Sequence, residues 1–233
     1  SSAGFIGVAL GVAVLILVSS VMNGFEKELR ERVLQSIPHA SIIGGIKVDQ
    51  VSQVREILSE SNEIEATSPY IESQGLIGSS ESLKGIYIFG VDSILEKNVS
   101  IVSSRIIDGS WNSINEEKYG VIIGDILAFQ LGVNVGDMVN VLVPDTTLGL
   151  AGILPRTKRF KVTGIFSIGA PEMDQSFAYI NITNAQKLLR MNNAVHGIRI
   201  RYKDLFQAPN LVKLDTVKVN QAFNTYYSSS NWT

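Results

Sequence analysis

Residues 3–22 carry no charged side chain, and their apolar positions fall on every face that a helix would present. Eleven of the twenty are Phe, Ile, Leu or Val. At roughly 0.3–0.6 kcal/mol each, these favour a bilayer by about 3–7 kcal/mol. The run is longer than the ~7–15 apolar residues of a signal peptide and longer than most buried core helices, so the pattern predicts a membrane-spanning helix. The pattern then changes without a break. Met22, Phe25, Leu29, Val33 and Ile37 recur every three or four positions, and Glu26–Arg30 and Glu28–Arg32 form i,i+4 pairs on another face. The helix is therefore predicted to leave the membrane as an amphipathic stalk. It stops before Pro38, which lacks a backbone donor and disfavours helix at the residue before it.

Beyond the stalk the periods are shorter. A strand over Ala40–Ile43, a helix over Asp49–Ser59 and a strand over Ile64–Thr67 are expected, with Pro69 closing the unit. Tyr70–Ile77 and Leu83–Val91 alternate as strands around a polar turn at 78–81, whereas residues 94–111 have no clean period. From Gly120 the pattern gives a strand Val121–Ile123, a short helix Asp125–Gln130, a turn Val133–Asp137 and strands Met138–Val143 and Arg159–Phe166. A strand Gly197–Tyr202 and a helix Pro209–Phe223 follow. The class is α+β, with a β-α-β unit before a β-rich module and a β-α unit after it. This order implies four parts: helix and stalk 1–37, a first α+β part 38–92, a β-rich insertion 93–193, and a second α+β part 194–233. The polar tail 228–233 offers no closing element, which is the pattern of a chain that continues.

Composition removes several function classes. Twenty Lys+Arg against 22 Asp+Glu give no basic footprint for nucleic acid, and the absence of cysteine excludes disulfides, thiolate metal sites and a Cys nucleophile. There is no Walker A pattern, dinucleotide fingerprint or GxSxG elbow, so neither ATP hydrolysis nor another enzymatic activity is expected of this chain, and no cofactor or metal. His39 and His196, the only histidines, read as surface or capping residues, and Glu172 with Asp174 as turn residues among Gly169, Pro171 and Gln175.

The segment 144–158 stands out because it is long for a hairpin loop and apolar at its centre. Leu148, Gly149, Leu150, Ala151, Gly152, Ile153 and Leu154 lie between Pro144 and Pro155, with Arg156, Lys158 and Arg159 at the base. Such a loop either folds back over the core or protrudes as a docking arm beside a positive pad. Within the apolar run, Ala3, Gly7 and Gly11 form a small-residue stripe for helix packing. Leu17, Val21, Met22 and Phe25 at its outer end are candidates for lining an acyl-chain cavity.

The run Ser20-Val21-Met22-Asn23-Gly24-Phe25-Glu26, continued by Glu28-Leu29-Arg30 and Ile37-Pro38-His39-Ala40, resembles the first membrane helix of the lipoprotein-releasing permeases of the LolC/LolE family. Gly120-Val121-Ile122-Ile123-Gly124, Leu131-Gly132-Val133, Gly136-Asp137 and Val162-Thr163-Gly164-Ile165-Phe166 resemble the wider class of MacB-like and FtsX-like permeases. The resemblance implies an inner-membrane subunit with further spans beyond Thr233 and a MacB-like periplasmic domain with a porter-like part and an inserted sabre-like part. Its implied partners are a cytoplasmic ATPase, a second homologous or identical permease subunit, the periplasmic chaperone LolA and the lipoprotein substrate. Residues 150–160 resemble the chaperone-binding hook and pad of LolC-type members, with Leu150 where the resemblance would put a proline. A MacB-like efflux permease and an FtsX-like regulator that transmits force to a cell-wall hydrolase are the competing expectations.

Overall fold

The computed structural model describes residues 7, 10–24, 39–80, 82–144 and 155–231. The chain divides into two compact units, Ser1–Gln35 and Ser36–Thr233. In the first, helix α1 occupies residues 10–24 with its apolar side chains exposed along its length. Among the described residues no helix is long and apolar enough to cross a membrane. Of the stalk expected from Met22 to Ile37, residues 25–37 lie outside the described residues.

The second unit is mixed α+β, as the periodicity predicts. Its strands are β1 (Ala40–Lys47), β2 (Ile64–Gly78), β3 (Leu83–Val91), β4 (Ile106–Gly109), β5 (Gly120–Gly124), β6 (Met138–Val143), β7 (Arg156–Phe166), β8 (Phe177–Asn181), β9 (Ala194–Tyr202) and β10 (Ser228–Asn231). Its helices are α2 (Val48–Ser59), α3 (Ser93–Val99), α4 (Ser113–Glu116), α5 (Asp125–Leu131), α6 (Pro171–Asp174), α7 (Ile182–Leu189) and α8 (Ala208–Phe223). The strands run in the order β10-β1-β9-β2-β3-β8-β5-β7-β4, and β6 bridges β2 and β7. The pairings therefore close a ring, β2-β3-β8-β5-β7-β6 and back to β2. β2 makes this possible by changing neighbour on one edge: β9 pairs with its first half, Ile64–Tyr70, and β6 with Leu76–Gly78.

Side-chain alternation along the ring strands builds two cores. Ile86 and Ile88 of β3, Val121 and Ile123 of β5, and Ala178 and Ile180 of β8 point into the main core. Phe89, Val91, Ile122 and Tyr179 point the other way, into a second cluster with Val102, Trp111, Ile114 and Phe166. This second cluster explains residues 94–111, where sequence periodicity fails. The segment forms α3, a single 3₁₀ turn and the short β4, and it lies over an aromatic patch in which the Phe89, Trp111 and Phe166 rings sit 5.4–5.7 Å from that of Tyr179. Trp111 Nε1 donates to the Ser93 carbonyl at 2.8 Å, which satisfies its buried polar end.

Three sequence expectations are corrected. β2 runs through Pro69 because β3 begins to pair only at Tyr70, so Pro69 sits where one edge of β2 is open and its missing N–H breaks no ladder. The polar stretch Ser228–Asn231 does form an element: it pairs with Ala40–Ile43 as the edge strand β10. His39 is buried, with Nδ1 accepting from the Tyr202 amide at 3.2 Å. The turn reading of Asp174 agrees with the structure, since its carboxylate accepts from the amides of Ile168, Gly169 and Ala170 at 2.9, 2.9 and 3.1 Å. At Gly124, the residue before α5, a Cβ would run into the Asp174 backbone, so the close approach of β5 to this turn requires glycine.

Candidate functional site

The loop singled out by its apolar centre leaves the ring from the β6–β7 hairpin. The ladder runs from Met138↔Lys161 to Val143↔Arg156 without a register shift, so Arg156–Arg159 belong to a strand and the connection spans 144–155. Leu148, Gly149, Leu150, Ala151, Gly152, Ile153 and Leu154 lie outside the described residues, and Pro155 is exposed at the point of return. The mount of the loop is firmly placed, because β6 is paired on its second edge by β2 through Leu76↔Leu142, Ile77↔Val141 and Gly78↔Asn140.

The basic residues at the base do not share a face. Strand alternation puts Arg156 and Lys158 on the side of the buried Phe160, and Arg159 on the opposite side. Lys158 Nζ lies 4.1 Å from the centre of the Tyr119 ring, itself edge-on to Phe160 at 5.7 Å. Arg156 Nη1 reaches the Leu188 carbonyl at 3.5 Å. Together with Lys187 and Arg190 from the end of α7, these residues surround a groove of about 330 Å³. Arg159 instead lines a hollow of about 700 Å³ with Ser79, Asp137, Met138 and Asn140.

Local sequence chemistry sets both sites. Asn181 caps α7 by accepting from the Thr183 amide at 2.8 Å, Ala185 and Leu188 bury the inner face, and Asn184 Nδ2 ties the helix to the Lys118 carbonyl at 2.8 Å. The helix ends at Arg190, in the left-handed region with φ 52°. On the other side, Gly132 takes the left-handed position after α5, and Ser79 and Ser82 donate to the carbonyls of Leu131 and Gln130 at 2.8 and 2.9 Å. Sequence reasoning missed Tyr119, Lys187 and Arg190. Their one local signal is a pair of basic residues three apart at the end of an amphipathic helix.

The other candidates lie on α1. Leu17, Val21 and Met22 are exposed, Phe25 and Ala3 lie outside the described residues, and a Cβ added at Gly7 or Gly11 would meet nothing within 4 Å. Among the described residues no group of three His, Asp or Glu side chains could hold a metal. His196 Nδ1 accepts from the Glu72 amide at 3.0 Å, a structural bond between β9 and β2.

Comparison with known proteins bears on the family and the fold. The family profile of the MacB-like periplasmic core domain matches residues 5–213. The lipoprotein-releasing system transmembrane protein LolC of Xylella fastidiosa is 34% identical over 234 residues, covering 100% of this chain and 55% of that protein. LolC of Neisseria meningitidis serogroup B is 34% identical, covering 88% of this chain and 50% of its own length. LolE of Haemophilus influenzae is 30% identical with the same coverage, 88% and 50%. The chain belongs to the LolC/LolE permease family. It spans about half the length of these relatives. Solved structures carry the same fold at lower identity: the extracellular domain of the ABC-type transporter YknZ from Gram-positive bacteria has a TM-score of 0.56 at 13% identity, covering 84% of this chain and 99% of that one. The periplasmic region of MacB from Actinobacillus actinomycetemcomitans gives 0.52 at 13%, covering 85% and 91%. In this LolC/LolE-family chain the closed ring and its α+β flank are thus a MacB-like periplasmic domain.

Proposed function

We propose that this chain is part of the permease subunit of an ATP-driven complex that extracts outer-membrane lipoproteins from the bacterial inner membrane and hands them to a periplasmic chaperone of the LolA type. The observation that carries the reading is the 34% identity to a LolC protein over the whole of this chain. In this reading residues 3–22 form a transmembrane helix, continued by a stalk to residue 37. Parts 38–92 and 194–233 act as the porter-like region and 93–193 as the sabre-like one. A second permease subunit, homologous or identical, completes the membrane passage, and a separate cytoplasmic ATPase hydrolyses the nucleotide.

Leu17, Val21, Met22 and Phe25 would hold acyl chains, and Ala3, Gly7 and Gly11 would pack against another helix, as small residues spaced four apart allow close backbone approach. Each acyl CH₂ left in water costs about 0.8 kcal/mol, so extraction needs an apolar acceptor at the exit. Leu148–Leu154 would dock that acceptor. Photocrosslinkers at Leu150 and Ile153 in the assembled complex should capture the chaperone, while one at Phe129, exposed elsewhere on the unit, should not. Equal capture at all three positions, or none, would sink the docking role. Deleting 148–154 separates this reading from a MacB-like efflux permease, which would work without the loop. Lipoprotein copurifying with the complex argues against an FtsX-like regulator.

A further inference from the structure

Strand β7 is paired unevenly along its length. Its second half has β5 on one edge and β4 on the other, whereas Arg156–Phe160 have β6 on one edge and, among the described residues, no strand on the other. The chain that would prolong β5 along this open edge turns away just before Tyr119, whose carbonyl takes the Lys161 amide at 2.8 Å. On the next residue the direction reverses: the Val162 amide donates to the Asp137 carbonyl, also at 2.8 Å, on the β6 side. Backbone groups alternate between the two edges of a strand, so the N–H and C=O of Thr157 and Arg159 point with those of Lys161, toward the open edge.

The basic groove lies along that same edge. Arg156, Lys158, Lys187 and Arg190 line it with Tyr119, and among the described residues no carboxylate does. Among the described residues no ion pair joins Lys158, Lys187 or Arg190 to an acid. A chain of net charge −2 has gathered four cations beside a strand edge that no strand among the described residues takes up. An added strand takes its affinity from such an edge and its specificity from alternate side chains. We propose that this edge accepts an extended acidic segment of a partner protein as an added β-strand, paired to Thr157 and Arg159, with alternate carboxylates reaching Lys158, Lys187 and Arg190. A phosphate group or an anionic lipid would use the cations but leave the strand edge idle. The inference rests on strand pairing and charge and does not need the transport reading.

The full chain in detergent micelles is titrated into a short capped peptide of alternating Glu and Thr carrying a neutral fluorophore, and binding is read by fluorescence anisotropy. The Glu–Thr peptide should bind, and a Lys–Thr peptide should not. The double variant Lys187→Glu, Arg190→Glu should weaken binding at least about tenfold, because two attractive contacts become repulsive. Thr157→Pro removes only an amide that faces the open edge, so the fold and the β6 ladder should survive with an unchanged melting temperature. Binding should nevertheless fall about tenfold, and exchange at the Arg159 amide should slow in the wild-type complex. Equal binding by the charge-reversed variant overturns the proposal. So does equal binding by Thr157→Pro, or displacement of the peptide by inorganic phosphate or phosphatidylglycerol vesicles that bind Thr157→Pro as well as wild type. Those outcomes would identify a general anion site.

Discussion

Replacing Arg199 by Met tests the buried Arg199–Glu96 ion pair. Arg199 is 6% exposed, and its guanidinium lies between the rings of Tyr70 and Phe89, 4.6 Å from each centre. One of its nitrogens donates to Glu96 Oε1 at 3.0 Å, while Glu96 is fully buried and its second oxygen has no hydrogen-bond partner. The pair is therefore a single charge-assisted bond that fastens α3 to β9, without the second arm of a bidentate fork. Methionine keeps most of the apolar stem but strands the Glu96 carboxylate in the core, and breaking a buried pair from one side costs about 3–5 kcal/mol. Loss of the two ring contacts adds to this, at about 0.5–2 kcal/mol each. Domains of ordinary stability hold only about 5–15 kcal/mol in total, so the variant should be severely weakened. Urea unfolding of the full chain in detergent, followed by tryptophan fluorescence, should show the midpoint falling by more than about 1 M, given slopes of about 1–3 kcal/mol/M. Adding Glu96→Leu to Arg199→Met should recover most of the loss, because an apolar pair of similar volume avoids the desolvation that the charges carry. A loss below about 1 kcal/mol for Arg199→Met, or a double variant no better than that single one, would refute the reasoning.

Two further predictions use the same unfolding assay. Tyr202 is buried with its hydroxyl donating to Asp215 Oδ2 at 3.0 Å, and Tyr202→Phe should cost about 1–3 kcal/mol by removing a donor from a buried carboxylate, softened by the second bond from Lys218. Both histidines are held below the ordinary histidine range, by burial in each case and for His39 also by Arg201. The folded state then binds fewer protons than the unfolded chain below about pH 6.5, so stability should be full above that pH and decline as the pH falls below it. His39→Asn, which keeps an acceptor for the Tyr202 amide, should flatten this decline; an unchanged slope between pH 7.5 and 5.5 would count against it.

Legibility in the sequence followed the source of each element's stability. β3 and β6 were readable to the residue because their alternation is local, and α8 to within one residue because its apolar stripe spans the whole helix. β10 was not readable: Ser228–Asn231 contributes little apolar surface, and its strand identity comes from the edge that β1 offers. Pro69 misled because its effect depends on which edge of β2 is open there, a fact set by where β3 begins to pair. The ring closure rests on Leu76↔Leu142 and its neighbours, contacts with no periodic trace. The docking candidate divides in the same way. The apolar loop and the basic residues beside it are contiguous in sequence and were legible, whereas the groove needs Tyr119 from before β5 and Lys187 and Arg190 from α7.

That division has a mechanical consequence. The groove is built by β7, α7 and the residue before β5, and β7 is held by β6, β5 and β4 while Asn184 ties α7 to Lys118. None of these supports passes through residues 145–154. Among the described residues the base thus has supports of its own, and the two candidate surfaces should be separable. Deleting 148–154 should abolish chaperone capture and leave binding of the Glu–Thr peptide intact, whereas Lys187→Glu with Arg190→Glu should do the reverse. Loss of both activities in either variant would mean that loop and groove act as one surface.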